Sequence, residues 1–135
     1  MRIAFLAPMD HEIEPLVRLL SLAPVFDAPD KRHTTTVGGV EFVAITTGIG
    51  MALATEATQR LLNDLAVDHV VVVGIAGGVT LDANIGDIIV PEVVVDGVTG
   101  KEYEPDLIGD IEPRGRLISS DELLVDPEKF VQMRA

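Results

Sequence analysis

Arg2-Ile3-Ala4-Phe5-Leu6-Ala7-Pro8-Met9-Asp10-His11-Glu12 is the stretch whose reading decides the fold. Ile3 to Ala7 is a continuous apolar run of strand length with no polar alternation, the pattern of a strand buried on both faces of a parallel sheet. Directly after it, Ile13, Leu16, Val17 and Leu20 recur at the spacing of an amphipathic helix. Asp10 and Glu12 fall in the first turn of that helix, where its dipole favours negative charge.

The same logic extends along the chain. Pro24 and Pro29 mark a loop. His33 to Val37 and Val40 to Thr46 flank Gly38-Gly39, a two-residue hairpin signal. Ala54, Ala57, Leu61 and Leu65 share one face of a second helix predicted over about 51–66. His69 to Val73 is a further buried-strand run, ending in Gly74-Ile75-Ala76-Gly77-Gly78. Ile85 to Val95 is strand-like, although Pro91 requires an edge, a bulge or a break there because proline cannot donate to a ladder. Asp126-Pro127-Glu128-Lys129 starts a terminal helix with an acidic cap and proline at its first position. Strands and helices alternate around one hairpin. The expected class is therefore α/β, with a mostly parallel or mixed central sheet flanked by helices in a single domain over 1–135.

Composition narrows the function. The 135 residues are 47% hydrophobic with no cysteine, which excludes a disulfide scaffold, a thiolate metal site and a cysteine nucleophile. Lack of cysteine also agrees with a cytoplasmic address. Twenty-two acidic residues against ten basic ones give a net charge of −12, which repels phosphate backbones and anionic lipid. Nucleic acid and membrane are accordingly excluded as partners. The charge is uneven: residues 82–128 hold 13 acidic and 3 basic residues. Apolar residues interleaved there point to a solvated, loop-rich face.

In open α/β sheets, ligands bind outside the carboxyl ends of the parallel strands. Three such ends carry unusual residues: Pro8 to Glu12, Thr47-Gly48-Ile49-Gly50, and Gly74 to Gly78. Glycines allow close backbone approach, and helix N-termini offer free N–H groups. Glu12 is the candidate general base, although spacing alone favours simple stabilisation of the helix dipole at this position. Other motifs fail. Gly48-Ile49-Gly50 has Leu53 where a dinucleotide fingerprint needs its third glycine. There is no phosphate-loop Gly-Lys-Ser/Thr and no nucleophile elbow. His11, His33 and His69 lack metal-ligand spacing, so no metal is expected. Ser119-Ser120-Asp121 reads as a turn or cap.

Taken in order, Arg2 to Glu12, Thr47 to Gly50, Gly74 to Gly78 and Gly86-Asp87-Ile88-Ile89-Val90 resemble the nucleoside phosphorylase superfamily over about residues 1–95. Within it the chain is most similar to the methylthioadenosine/S-adenosylhomocysteine nucleosidase family. The resemblance implies hydrolysis of the N-glycosidic bond of an adenine nucleoside, without metal or organic cofactor, by a homodimer. It implies that Glu12 activates water, which attacks a ribosyl centre of oxocarbenium character, much as a carboxylate base does in inverting glycoside hydrolysis. Met9 matches a methionine beside the ribose, and Ile49 an apolar contact to the 5′ side. Ala76 and Gly77 match backbone lining the base and ribose pocket. Tyr103 lies near where a loop would close the partner's site, and an ordinary loop aromatic fits it as well.

Two departures go with the resemblance. Ile75 stands where many nucleosidases carry Ser or Thr, whose hydroxyl isoleucine cannot replace. The family also continues with a Met-Glu motif that grips the ribose hydroxyls and a Ser-Asp element that protonates the purine. Val131 to Arg134 and Asp121 match neither. The resemblance thus implies that the chain corresponds to the N-terminal half to three-fifths of a nucleosidase. Phosphate instead of water as acceptor, or a non-catalytic nucleoside-binding module, are the alternative readings.

Overall fold

The computed structural model describes residues 1–134 and divides into two compact units, Met1–Ile75 and Ala76–Ala135. In the first unit, β1 (Arg2–Ala7) leads into α1 (Asp10–Leu19). There follow β2 (Ala23–Pro24), β3 (Arg32–Val37), β4 (Val40–Thr46), α2 (Met51–Asp64) and β5 (His69–Val72). The sheet order is β2-β3-β4-β1-β5. β1 runs parallel to both neighbours, in register Phe5↔Ala44 with β4 and Phe5↔Val71 with β5.

The unbroken apolar run of β1 follows from a helix on each face. Ala4 and Leu6 pack with Val43, Ile45 and Leu61 of α2 on one side. Ala7 packs with Ile13 of α1, Leu22 and Ala44 on the other, where Phe5 stacks on Phe42 at 6.2 Å between ring centres. Alternation is lost because neither face meets water.

β3 and β4 form the expected hairpin, and Gly38 and Gly39 take φ of 56° and 80°, the positive values a tight two-residue turn needs. Pro24, expected in a loop, instead lies in the two-residue strand β2. That strand is at the sheet edge, where a missing N–H costs no ladder bond. Arg32 is the one charged side chain buried in this unit among the described residues. Its guanidinium meets Asp30 at 2.6 and 3.1 Å and Asp64, the last residue of α2, at 2.7 Å. The hydrogen bond to Asp30, followed by that to Asp64, raises the Arg32 pKa against the opposing effect of burial.

The second unit holds β6 (Val93–Asp96), β7 (Glu102–Tyr103), β8 (Arg116–Ser119) and α3 (Pro127–Arg134). Its sheet order is β7-β6-β8, with β6 antiparallel to β7 and parallel to β8. The strand expected over 85–95 is confined to its end. Asp87 donates to the Asn84 carbonyl at 3.1 Å in a turn, and Gly86 adopts φ of 94°. Pro91 makes the break: Val90 accepts from Arg114 at 2.8 Å and Glu92 donates to Gly115 at 3.0 Å, while the proline between them donates nothing. Ser120 forms the expected turn, its hydroxyl accepting from the Glu122 N–H at 3.1 Å.

Candidate active site

Glu12 is half-buried in the first turn of α1, beyond the carboxyl end of β1. One carboxylate oxygen accepts from the Met9 N–H at 3.1 Å, the backward-reaching half of a capping box. The other accepts from the Ile75 N–H at 2.9 Å, just past the end of β5. Since β1 and β5 are parallel neighbours, their carboxyl ends emerge together, and one side chain ties both. A Cβ at Gly74 would come within 3.1 Å of a Glu12 carboxylate oxygen, a tight contact that would require the carboxylate to shift by a few tenths of an ångström. Each oxygen accepts one N–H and keeps capacity for another donor.

Ile75 enters this arrangement through its backbone alone, with its side chain 79% exposed. An N–H is common to every residue but proline, so the tether does not depend on the side chain at this position.

The parallel pairing of β1 with β4 brings a second loop alongside. Thr47 donates to the Ala7 carbonyl at 2.8 Å and Gly48 to that of Pro8 at 3.1 Å, binding the two strand exits together. Gly48 has φ of 93°, and a Cβ there would sit 2.8 Å from Leu53. Beside this junction opens a cleft of about 610 Å³ with Met9, Ile49 and Leu53 as apolar lining and Asp10, Lys31 and Arg60 as charged lining. Glu12 and Ile75 are not among its lining residues. Met9 belongs to both, bordering the cleft and donating its N–H to Glu12.

Met9, Glu12 and Ile75 are therefore joined by hydrogen bonds, and Met9 and Ile49 share the cleft. Ala76 and Gly77 are exposed at the start of the second unit. Tyr103 is a half-exposed residue of β7 with the Lys101 ammonium 4.9 Å from its ring centre. Sequence reasoning missed Lys31 and Arg60, which lie in a loop and on a helix surface with no periodic mark. Thr46 carried one signal, its place at the end of a strand parallel to β1. Among the described residues no group of three or more His, Asp or Glu could hold a metal ion.

A family model described as the phosphorylase superfamily matches residues 2–128. The chain belongs to that superfamily. Curated relatives include the 5′-methylthioadenosine/S-adenosylhomocysteine nucleosidase of Shewanella pealeana, 32% identical over 70% of this chain and 41% of the relative. The Shewanella loihica protein of the same name is 30% identical over 96% of this chain and 56% of its own length. The chain thus spans about half the length of the curated relatives it matches. Among solved structures, the fold is similar to a Helicobacter pylori MTAN mutant with 5′-methylthioadenosine in the active site. The TM-score is 0.85 at 18% identity, covering 98% of this chain and 70% of that one. A futalosine hydrolase from the same organism gives 0.82 at 17% identity, covering 98% and 72%. These likenesses show the nucleosidase-like α/β fold. Among the described residues no helix is long and apolar enough to cross a membrane.

Proposed function

We propose that this superfamily member acts in hydrolysis of the N-glycosidic bond of an adenine nucleoside, with Glu12 as the base that activates water. The observation that carries the reading is the tether of Glu12: both carboxylate oxygens are held by backbone N–H groups at the joined ends of β1 and β5. A carboxylate fixed in this way needs no reorganisation when it takes a proton. Water donates one proton to Glu12 while its oxygen bonds to the ribosyl carbon. The carbon–nitrogen bond breaks, and the base leaves with the electron pair and takes up a proton. Met9 would pack beside the ribose, Ile49 beside the 5′ substituent, and the backbone of Ala76 and Gly77 along the base and ribose.

Water is favoured over phosphate as acceptor because the Thr47 and Gly48 N–H groups are already committed to carbonyls. They are not free to cradle an anion. In the same reading the protein works as a cytoplasmic homodimer, with Tyr103 contributed toward the partner's site.

The test is adenine release from 5′-methylthioadenosine by the intact protein and its Glu12→Gln variant. The amide side chain retains one acceptor oxygen but cannot take the proton, so kcat should fall by about 10²–10⁴-fold with nucleoside binding retained. Unchanged turnover would remove Glu12 from the chemistry. Release of base only when phosphate is supplied, with ribose 1-phosphate as product, would replace hydrolysis by phosphorolysis.

A further inference from the structure

A hydrogen bond between Thr46 and Asp10 takes no part in the chemistry described above, yet it bears on where Glu12 sits. Thr46 is the last residue of β4 and the register partner of Ala7, the last residue of β1. Its hydroxyl donates to one Asp10 carboxylate oxygen at 2.8 Å. Asp10 opens α1, and only Pro8 and Met9 separate it from β1. In this helix it is Glu12 that takes the Met9 N–H, so Asp10 is spared that capping duty. The helix dipole accounts for an acid at this position, but not for its hydroxyl partner on a neighbouring strand. The Lys31 ammonium is 3.9 Å from the other Asp10 oxygen, and because both groups are mostly exposed that pair adds little.

We propose that Thr46 is a positioning residue for Glu12, acting through Asp10 and the first turn of α1. The inference rests on the nucleosidase reading above and deepens it. At 3.6 residues per turn, two positions two residues apart project about 200° from each other around the helix axis. Asp10 is accordingly held by β4 and Glu12 by Ile75 just past β5, and these two strands flank β1 on opposite sides. One anchor alone leaves the turn free to roll about its axis, whereas two opposed anchors fix it. The roll sets where the Glu12 carboxylate sits, and a displacement of about 1 Å is enough to slow a positioned base strongly. Backbone bonds from Thr47 and Gly48 to the Ala7 and Pro8 carbonyls join the strand exits but stop short of the helix. The Thr46 hydroxyl extends that attachment to α1 itself.

The experiment reads the placement of Glu12 in two independent ways, in the intact protein and in Thr46→Val and Thr46→Ser variants. Valine keeps the β-branched shape and loses the donor, and serine keeps the donor. In Thr46→Val, kcat for adenine release from 5′-methylthioadenosine should fall about 3–10-fold with KM unchanged within about twofold, and Thr46→Ser should restore it. Hydrogen exchange of the Ile75 N–H, whose acceptor is Glu12, should quicken in Thr46→Val. That of the Val73 N–H, bonded to the Leu6 carbonyl at 2.9 Å, should not change, which separates a rolled helix from a loosened sheet. Asp10→Ala should match Thr46→Val by both measures, and the double variant should lose no more than either alone. Unchanged kcat and Ile75 exchange in Thr46→Val, or a raised KM at unchanged kcat, overturns the positioning role and leaves the hydrolase reading in place. Absence of base release from the parent, with Ile75 exchange that still depends on Thr46, overturns the hydrolase reading and keeps the anchor.

Discussion

In the first unit a helix covers each face of the sheet, and Ala4, Leu6, Val43, Ile45 and Leu61 are each at most 3% exposed. In the second, Val90 is the one buried hydrophobic residue among those described, while Ile88, Leu117 and Ile118 are exposed and α3 buries none of its residues. Both units pair their strands and both are rich in β-branched residues, so backbone hydrogen bonding does not separate them. What separates them is a second layer. A sheet that lacks one keeps its ladder but gains little from its side chains, because the hydrophobic contribution scales with apolar area removed from water.

Matched truncations put this contrast to the hardest test. Leu61→Ala, at a fully buried position, should cost about 3–4 kcal/mol of stability in urea unfolding. Leu117→Ala, at a position 36% exposed, should cost about 1 kcal/mol or less. Equal losses would mean that the two sheets contribute alike, and the contrast would be gone. Arg32→Met asks whether the first unit depends on its ion cluster as well as on its apolar core. Asp30 would be left nearly buried without its partner, at a cost of about 2–3 kcal/mol. A neutral result would assign the stability of this unit to packing alone.

The smallest expected effect belongs to the second unit, where local turns replace a core. The N–H groups of Val98, first, and Thr99 hold the Asp96 carboxyl below its usual 3.8. Because the folded value lies below the unfolded one, this stabilisation is present above the unfolded pKa and is lost as pH falls through the folded pKa. NMR titration of the Asp96 carboxyl carbon should have its midpoint below 3.8, and acid should release the 96–100 turn without loosening the first unit. A midpoint at or above 3.8 would remove these hydrogen bonds from the account.

Legibility in the sequence followed the same division. Ile3 to Ala7, the helix after it, the Gly38-Gly39 hairpin and His69 onward were readable because each is a local pattern whose burial the fold goes on to supply. Ile85 to Ile89 carried a similar apolar signal and formed no strand, since apolarity fixes a strand only where a partner is in register. Arg116 to Ser119 gave no warning of β8, which exists through its parallel register with β6. At the site, the position of Glu12 was legible from helix spacing. Its bond to Ile75 was not, because contact across a parallel pair depends on register that one strand alone does not encode. The cluster of Asp30, Arg32 and Asp64 was hidden for the same reason, being assembled from a loop, a strand and a helix end.

The parallel pairing of β1 has a consequence for synthesis. Its register partners begin at Glu41 in β4 and at His69 in β5, so β1 is made before either of its partners. At about 5–20 residues per second, roughly 2–8 s separate the making of Ala7 from that of Thr46. The hairpin of β3 and β4 can close within about 1–10 μs of its completion and then offers β1 an edge. Until that moment Ile3 to Ala7 is an unpaired apolar segment on a nascent chain, exposed to off-pathway association.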